Sequence, residues 1–248
     1  MSDFVVVIPS RYASTRLPGK PLREINGKPM LEHVFERGTE SNASEIVVAT
    51  DDERIAEAAE GFGARVCMTS DQHRSGTERI AEVCDLMDWR DDKIVVNLQG
   101  DEPTMPAMLI NQCAAMLDDG LADIATLASP VASQQDFENP NIVKVIVDED
   151  SNAIYFSRTA IPYARDSARQ AEARRAALHH HGIYAYRCGV LRKLVAAPPS
   201  QLEISEQLEQ LRALSLGMTI RVAPPEKRPG AGVDTAEDLA VAAAELAQ

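Results

Sequence analysis

A basic loop follows the first apolar run of the sequence. Residues 4–23 contain four basic side chains and no acidic one, although the whole chain has a formal net charge of −13. Arg11, Arg16 and Lys20, together with backbone N–H groups, are the kind of donors that hold a triphosphate. The loop matches neither G-x-x-x-x-G-K-[ST] nor G-x-G-x-x-G, which argues against a P-loop NTPase and a classical dinucleotide-binding enzyme. The alternative is a solvated surface loop whose arginines pair with acids elsewhere.

Two acidic segments contain candidate metal ligands. Gln99-Gly-Asp-Glu-Pro103 places Asp101 directly after an apolar run, and Asp234 stands in the segment G-V-D-T-A-E-D near the end of the chain. Carboxylate oxygens of this kind are ligands that Mg²⁺ accepts. Taken alone, Asp101 is as readily a loop acid, and Asp234 mainly marks the beginning of a helix.

A third segment, Ser75-Gly-Thr-Glu78, has the spacing of a helix capping box. A helix N-terminus also offers free N–H donors to a base or a phosphate, and Arg79 adds a charged donor. The segment therefore predicts the beginning of a helix, and this is compatible with a place at a nucleotide site.

Short β-branched runs alternate with amphipathic segments in the first half of the chain. The predicted strands are 4–8, 46–49, a short one around Val66, and 93–98, and the predicted helices are 29–39, 53–62, 77–87 and 106–117. The strands are apolar at successive positions, as expected when helices cover both faces of a sheet. The pattern predicts an α/β protein with a layered, mainly parallel sheet flanked by helices. Ligands of such sheets bind beyond the carboxyl ends of the strands, here after Ile8, Ala49 and Leu98.

The pattern becomes less regular between about residues 129 and 200. Strand-like pieces at 142–147, 153–156 and 183–186 flank a polar, Ala/Arg-rich stretch at 166–177. This region is interpreted as an excursion from the main sheet. A helix at 204–216, a strand at 219–222 and a helix at 236–246 are predicted to follow it.

Length and composition exclude several classes of protein. One domain is the default for 248 residues. No apolar run approaches the roughly 20 residues that span a bilayer, and no basic signal-peptide head begins the sequence, so we expect a cytoplasmic protein without a membrane partner. A pI near 4.8 argues against a general nucleic-acid surface. The four cysteines have neither C-x-x-C spacing nor nearby His partners, so neither zinc nor a disulfide framework is expected.

The chain resembles the 3-deoxy-manno-octulosonate (Kdo) cytidylyltransferases, or CMP-Kdo synthetases. The resemblance rests on seven motifs in order between residues 14 and 239: S-T-R-L-P-G-K, S-G-T-E-R, Q-G-D-E-P, Y-F-S-R, H-G-I-Y-A-Y-R, L-E-Q-L-R and G-V-D-T-A-E-D-L. Most of these motifs are weak individually. S-T-R-L-P-G-K and Q-G-D-E-P form the most specific pair, and together the seven cover nearly the whole chain.

The resemblance implies a Rossmann-like nucleotide-sugar transferase fold. It implies one cytidylyltransferase domain over residues 1–248, in which residues 129–200 form a small subdomain for dimerisation and the sugar pocket. It also implies a cytoplasmic, Mg²⁺-dependent homodimer that joins CMP from CTP to Kdo for lipopolysaccharide synthesis and releases pyrophosphate. The sugar's anomeric hydroxyl attacks the α-phosphorus of CTP in this reaction, and no side-chain base is assigned.

The resemblance also assigns residues to the sites. The catalytic positions are Lys20, Arg16 and Asp101, and the Mg²⁺ ligands are Asp101 and Asp234. The CTP positions are Arg11, Arg16, Lys20, Ser75 and Arg79. The sugar-pocket positions are Gln99, Arg158, His180, Tyr184, Glu209 and Gln210. Among these, the planar guanidinium of Arg158 suits the sugar carboxylate.

Three adjacent histidines, His179, His180 and His181, depart from the family pattern, in which a single histidine occupies the place of His180. Neighbours on an extended strand point to opposite sides, which disfavours a metal site formed by all three. Two other functions stay open: a sister enzyme for sialic acid or 8-amino-Kdo, and a catalytically silent nucleotide-binding regulator.

Overall fold

The structure is a computed structural model that describes residues 3–13, 17–230 and 232–247. The strands are β1 (Phe4–Ser10), β2 (Glu24–Ile25), β3 (Lys28–Pro29), β4 (Glu45–Thr50), β5 (Arg65–Met68), β6 (Ile94–Asn97), β7 (Ile124–Pro130), β8 (Lys144–Val147), β9 (Ala153–Ser157), β10 (Leu178–Arg187) and β11 (Ile220–Ala223). The α-helices are α1 (Met30–Thr39), α2 (Glu53–Gly61), α3 (Gly76–Leu86), α4 (Ala107–Ala115), α5 (Gln134–Glu138), α6 (Gln170–Ala176), α7 (Cys188–Ala196), α8 (Gln201–Glu206), α9 (Gln210–Ser215) and α10 (Ala236–Glu245). Short 3₁₀ turns lie at Lys20–Leu22 and Ser167–Arg169.

The central sheet has the strand order β11-β7-β10-β6-β1-β4-β5. Strands β6, β1, β4 and β5 are parallel, β10 runs against both of its neighbours in this order, and β7 and β11 are parallel to each other. Six of these seven strands therefore point the same way, which confirms the predicted mainly parallel α/β sheet. Strands β2 and β3 form a separate small hairpin among the described residues.

Alternating side chains of β1 pack into two cores on opposite faces of the sheet. Val5 and Val7 join α3 and α7 on one face, whereas Val6 and Ile8 join α1, α2 and α4 on the other. Because each face is covered by helices, β1 has no polar face, and this explains its unbroken apolar sequence. The arrangement places the carboxyl ends of β1, β4 and β6 at one edge. No helix of the described residues is long and apolar enough to cross a bilayer.

The predicted elements of residues 4–117 are confirmed to within a few residues. Six strands and α-helices were not predicted: β2, β3, β7, α5, α6 and α7. Strand β10 also begins earlier than the predicted 183–186, since it includes all three histidines.

The predicted excursion over residues 129–200 is wrong in part. Strands β8 and β9 do lie off the main strand order, but β10 runs through the middle of the sheet between β6 and β7. The strand-like piece at 183–186 was interpreted as lying outside the sheet because pairing between distant strands leaves no local signal. Whether this region makes a dimer contact stays a prediction.

The single helix predicted over 204–216 is also wrong. Helices α8 and α9 replace it, and Gln207 between them adopts a left-handed conformation with φ of 53°. The Arg158 guanidinium donates to the carbonyl oxygens of Glu206 and Gln207. Contacts from Arg158, which is distant in sequence, therefore stabilise the break between the two helices. The periodicity of the sequence does not reveal such contacts.

Candidate active site

Lys20 lies at the carboxyl edge of the sheet, in contact with the segment that follows β6. Its Nζ donates to Asp101 Oδ2 at 2.7 Å, to Asp234 Oδ1 at 3.0 Å and to the carbonyl oxygen of Val233 at 2.7 Å. Burial disfavours the charged ammonium, but the two carboxylates outweigh burial and raise the pKa of Lys20. Lys20 therefore remains charged at neutral pH and holds both predicted metal ligands around one point.

The acidic segment after β6 and the glycine-rich segment before α10 approach each other closely. A Cβ on Gly230 would lie 1.8 Å from Thr104 Oγ1, and one on Gly232 would lie 2.9 Å from Glu102 Oε1. Any larger residue would push the two segments apart. The close approach brings Asp234 beside Asp101, and the capping box formed by Thr235 and Asp238 then begins α10 at Ala236, where the predicted helix begins.

Glu102 is an additional acid beneath this centre. Its Oε2 is buried without a hydrogen-bond partner among the described residues. Burial, reinforced by the neighbouring Asp101 charge, raises the pKa of Glu102 to about 8. The Q-G-D-E-P motif contains this residue, but of its two acids the sequence predicts a role only for Asp101.

A cavity of about 600 Å³ opens beside Lys20, and we call it the basic cavity. Predicted residues that line it are Arg11, Lys20, Ser75, Arg79, Asp101 and Asp234. Ser10 and Arg74 also line it and were not predicted. Arg74 directly precedes the predicted site residue Ser75, and this position could have identified it. The predicted residue Arg16, with Ser14 and Thr15, lies outside the described residues. The structure thus brings every described member of the predicted CTP set to one cavity.

The beginning of α3 forms one wall of the basic cavity. Ser75 is the N-cap, and its hydroxyl accepts from the Glu78 backbone N–H at 3.2 Å, which confirms the predicted helix start. Arg79 is nearly fully buried, and its guanidinium lies 3.1 Å from Asp51 Oδ1 and also contacts the Thr69 hydroxyl. Asp51 and Thr69 therefore fix the direction of Arg79.

A second cavity of about 280 Å³, the inner cavity, adjoins the first. Gln99 and Asp101 line both cavities. Tyr184, Glu209 and Gln210, three other predicted sugar residues, also line the inner cavity. Further lining side chains that were not predicted include Thr77, Asn97 and Tyr186. Asn97 is the last residue of β6, where a polar side chain ends an apolar run and could have signalled the site.

Glu209 connects the two cavities. Its carboxylate accepts from the Ser75 hydroxyl at 2.9 Å and from the Thr77 hydroxyl at 2.8 Å. Burial raises the pKa of Glu209, although these two hydroxyl donors oppose the rise. A residue predicted for the sugar is therefore in direct contact with one predicted for the nucleotide.

Two predicted sugar residues lie outside the lining of the inner cavity. His180 Nε2 is 3.1 Å from Thr126 Oγ1, and the imidazole ring packs against Tyr184, which does line the cavity. Burial lowers the pKa of His180 to about 3, so its ring is neutral. Arg158 donates to the carbonyl oxygens of Glu206, Pro140 and Gln207. Its role at the sugar stays a prediction.

The three histidines point in two directions. The rings of His179 and His181 are 4.9 Å apart, and His181 Nε2 lies 2.9 Å from Ser129 Oγ, whereas His180 contacts Thr126. Among the residues that the structure describes, no group of three His, Cys, Asp or Glu side chains is arranged to hold a metal ion. Asp101 and Asp234 form a pair of carboxylates without a third such ligand.

Comparison with known proteins decides the family. The sequence model of the cytidylyltransferase family, described as "Cytidylyltransferase", matches residues 5–220. The chain belongs to this family. It is also similar to a solved CMP:2-keto-3-deoxy-manno-octonic acid synthetase complexed with CTP, with 41% identity, a TM-score of 0.90, and coverage of 100% of this chain and 99% of that one. This similarity confirms the predicted resemblance to CMP-Kdo synthetases.

A more distant cytidylyltransferase, from Leptospira borgpetersenii serovar Hardjo-bovis (strain JB197), shares the fold. It is 19% identical, with a TM-score of 0.61, and the match covers 96% of this chain and 84% of that one. At this identity the comparison supports the cytidylyltransferase fold alone.

The buried Glu102 predicts a pH-dependent gain in stability for the Glu102→Gln variant in metal-free buffer. Below pH 4.5 the carboxyl is protonated in both the folded and the unfolded chain. As the pH rises to about 8, the unfolded chain releases this proton while the folded chain keeps it, so the wild-type free energy of unfolding falls. Glutamine stays neutral in both states. The difference in unfolding free energy between variant and wild type should therefore grow over this range.

Urea unfolding at several pH values with a chelator measures this difference. The same substitution at exposed Glu57 controls for the loss of one negative charge. A difference that does not change with pH would show that Glu102 ionises equally in the two states.

Proposed function

We propose that this cytidylyltransferase transfers CMP from CTP to Kdo and releases pyrophosphate. The observation that carries the proposal is the pair of adjoining cavities that share Asp101 and Gln99 at the carboxyl edge of the sheet. One cavity is lined by cations that suit a triphosphate, and the other by amide, hydroxyl and carboxylate groups that suit a polyol. The similarity to a CMP-Kdo synthetase in complex with CTP supports the same assignment.

The basic cavity is proposed to hold CTP. Arg11, Lys20 and Arg79 supply positive charge, and the beginning of α3 supplies N–H donors beside Ser75. Arg16 is proposed to join them, as the family resemblance implies. Arg79 is already fixed by Asp51, so it enters the complex without a large loss of side-chain freedom.

Asp101 and Asp234 fit a magnesium ion. Each has an oxygen within 3.0 Å of the same Lys20 Nζ, so the two carboxylates already converge on one cation. Mg²⁺ commonly binds through one or two carboxylates together with phosphate oxygens and water, and this donor set supplies the protein part. When bound, the ion would neutralise charge on the transferred phosphoryl group. Lys20 would then be released from the carboxylates to contact the triphosphate.

The transfer requires the sugar and the α-phosphate to meet between the two cavities. The anomeric hydroxyl attacks the α-phosphorus, a new O–P bond forms, the bond to pyrophosphate breaks, and the hydroxyl proton passes to water. Lys20 and Arg11 stabilise the charge that develops on pyrophosphate. We assign no side-chain base, because the Glu209 carboxylate already accepts hydrogen bonds from Ser75 and Thr77.

The inner cavity is proposed to hold the sugar. Gln99, Tyr184, Glu209 and Gln210 line it, and His180 supports the Tyr184 ring from behind. Arg158 is proposed for the sugar carboxylate on the family resemblance alone. In this structure its guanidinium fastens the segment between α8 and α9, directly before Glu209.

Three further properties are proposed from the family resemblance: a homodimer, a cytoplasmic location and a place in lipopolysaccharide synthesis. Exposed apolar side chains within residues 129–200 support the dimer. Ile154 is 58% exposed and Tyr163 is 86% exposed, so both side chains are available to a partner subunit.

Pyrophosphate release from a matrix of substrates tests the proposed function. We expect release with CTP and Kdo, little with UTP, and little when sialic acid replaces Kdo. Faster release with sialic acid or 8-amino-Kdo would identify a sister enzyme instead. CTP binding without release from any sugar would identify a catalytically silent regulator.

The Asn variants of Asp101 and Asp234 should each lose turnover by about 10²–10³, because each removes a charged ligand where charge develops in the transition state. The losses should be non-additive, since a misplaced ion leaves little for the second change to remove. Turnover of the single and double variants across a magnesium titration measures this, with the melting temperature as the folding control.

Asp71→Asn is the matched control, because Asp71 is exposed and does not line either cavity. Near-normal turnover of Asp101→Asn or Asp234→Asn at low magnesium would remove that residue from the metal site.

A further inference from the structure

Two buried cysteines lie in contact although 104 residues separate them. The Sγ atoms of Cys84 and Cys188 are 3.0 Å apart, and both side chains are fully buried. A disulfide bond is about 2.05 Å long, so a displacement of roughly 1 Å would bring the two sulfur atoms to bonding distance. The other two cysteines have different surroundings: Cys113 Sγ contacts the Ala125 carbonyl, and Cys67 Sγ lies near that of Met68.

The two thiols differ in electrostatic environment. Cys188 is the first residue of α7, whereas Cys84 lies in the last turn of α3. The positive end of a helix dipole favours a thiolate, and the negative end disfavours one. The hydrogen bond between the two thiols, helped by the nearby Arg192 charge, lowers the pKa of Cys188. The same hydrogen bond and burial raise the pKa of Cys84.

Surface ion pairs of Arg192 lie beside the two cysteines. The Arg192 guanidinium contacts Asp85 at 2.7 Å and also Asp91, and it donates to the Cys84 carbonyl at 3.3 Å. The side chains of Asp85 and Asp91 are 65% and 80% exposed. Exposed ion pairs of this kind stabilise a structure by little, so this side of the cysteines is the proposed entry for a small oxidant.

We propose that Cys84 and Cys188 form a reversible disulfide when the protein meets a peroxide. The Cys188 thiolate attacks one peroxide oxygen, the O–O bond breaks, and a sulfenic acid forms while the other oxygen leaves as hydroxide. This hydroxide takes up the proton that the Cys188 thiol released on ionising and becomes water. Cys84 then attacks the sulfenic sulfur, and an S–S bond forms. The expelled hydroxide takes the proton of the Cys84 thiol and leaves as a second water. The thiol pair loses two electrons and the peroxide gains them.

The disulfide bond would join α3, the helix that begins at the basic cavity, to α7. Cys84 lies near the end of α3, and the same helix carries Ser75 and Arg79 at its beginning. A low-molecular-weight thiol would reverse the bond by exchange. A transient, reversible bond is what a reducing compartment allows, where stable disulfides are rare.

Peptide mapping of the peroxide-treated wild type tests the proposal directly. The folded protein is exposed to hydrogen peroxide, its free thiols are alkylated in denaturant without reductant, and its peptides are identified by mass spectrometry. We expect a linked peptide that joins Cys84 to Cys188 and accounts for most of both residues. Dithiothreitol should remove it. Cys67 and Cys113 in the same molecules are internal controls and should be recovered mainly as free thiols.

Two variants test the order of the steps. In Cys84→Ala, Cys188 should stop at the sulfenic acid and react with dimedone. In Cys188→Ala, Cys84 should remain a thiol at the same peroxide dose. Recovery of Cys84 and Cys188 as free thiols at doses that oxidise Cys67 would overturn the proposal. A linked peptide that forms only in denaturant, or that joins other cysteines, would overturn it as well.

Discussion

The candidate site depends on the contacts between the Lys20 ammonium group and two aspartates. It contacts Asp101 and Asp234, which lie 81 and 214 residues away along the chain. The two carboxylates and the Val233 carbonyl all lie within 3.0 Å of Lys20 Nζ. Without this cation between them, their oxygens would repel one another. Lys20 therefore joins three segments: the basic loop after β1, the acidic segment after β6, and the glycine-rich segment before α10. All three segments line the basic cavity.

A second constraint couples the two cavities. Glu209 accepts hydrogen bonds from Ser75 and Thr77 at the beginning of α3, so the wall of the inner cavity is fastened to the wall of the basic cavity. The Arg158 guanidinium fastens the segment just before Glu209. The break between α8 and α9 follows from these contacts.

The sequence predicts those parts of the structure whose cause is local. The unbroken apolar run of β1 indicates helices on both faces of the sheet, and Ser75 begins α3 as its capping pattern predicts. Contacts between residues that are distant in sequence cannot be predicted in this way. The reversed direction of β10, the fixation of Arg79 by Asp51, and the contact of Lys20 with both aspartates join distant residues, and no spacing in the sequence encodes them. The resemblance assigned Asp101 and Asp234 to one metal ion, but only the fold shows that Lys20 contacts both.

Binding of Mn²⁺ to the nucleotide-free protein, measured by electron paramagnetic resonance for the wild type and Lys20→Gln, tests the account most directly. If the ammonium occupies the position between the carboxylates, its removal should tighten Mn²⁺ binding about tenfold or more. A tenfold change needs only about 1.4 kcal/mol, and a charge contact near a protein surface can exceed that. Asp101→Asn in the same background should abolish the gain. Equal or weaker Mn²⁺ binding in Lys20→Gln would contradict the claim that Lys20 and the metal share Asp101 and Asp234.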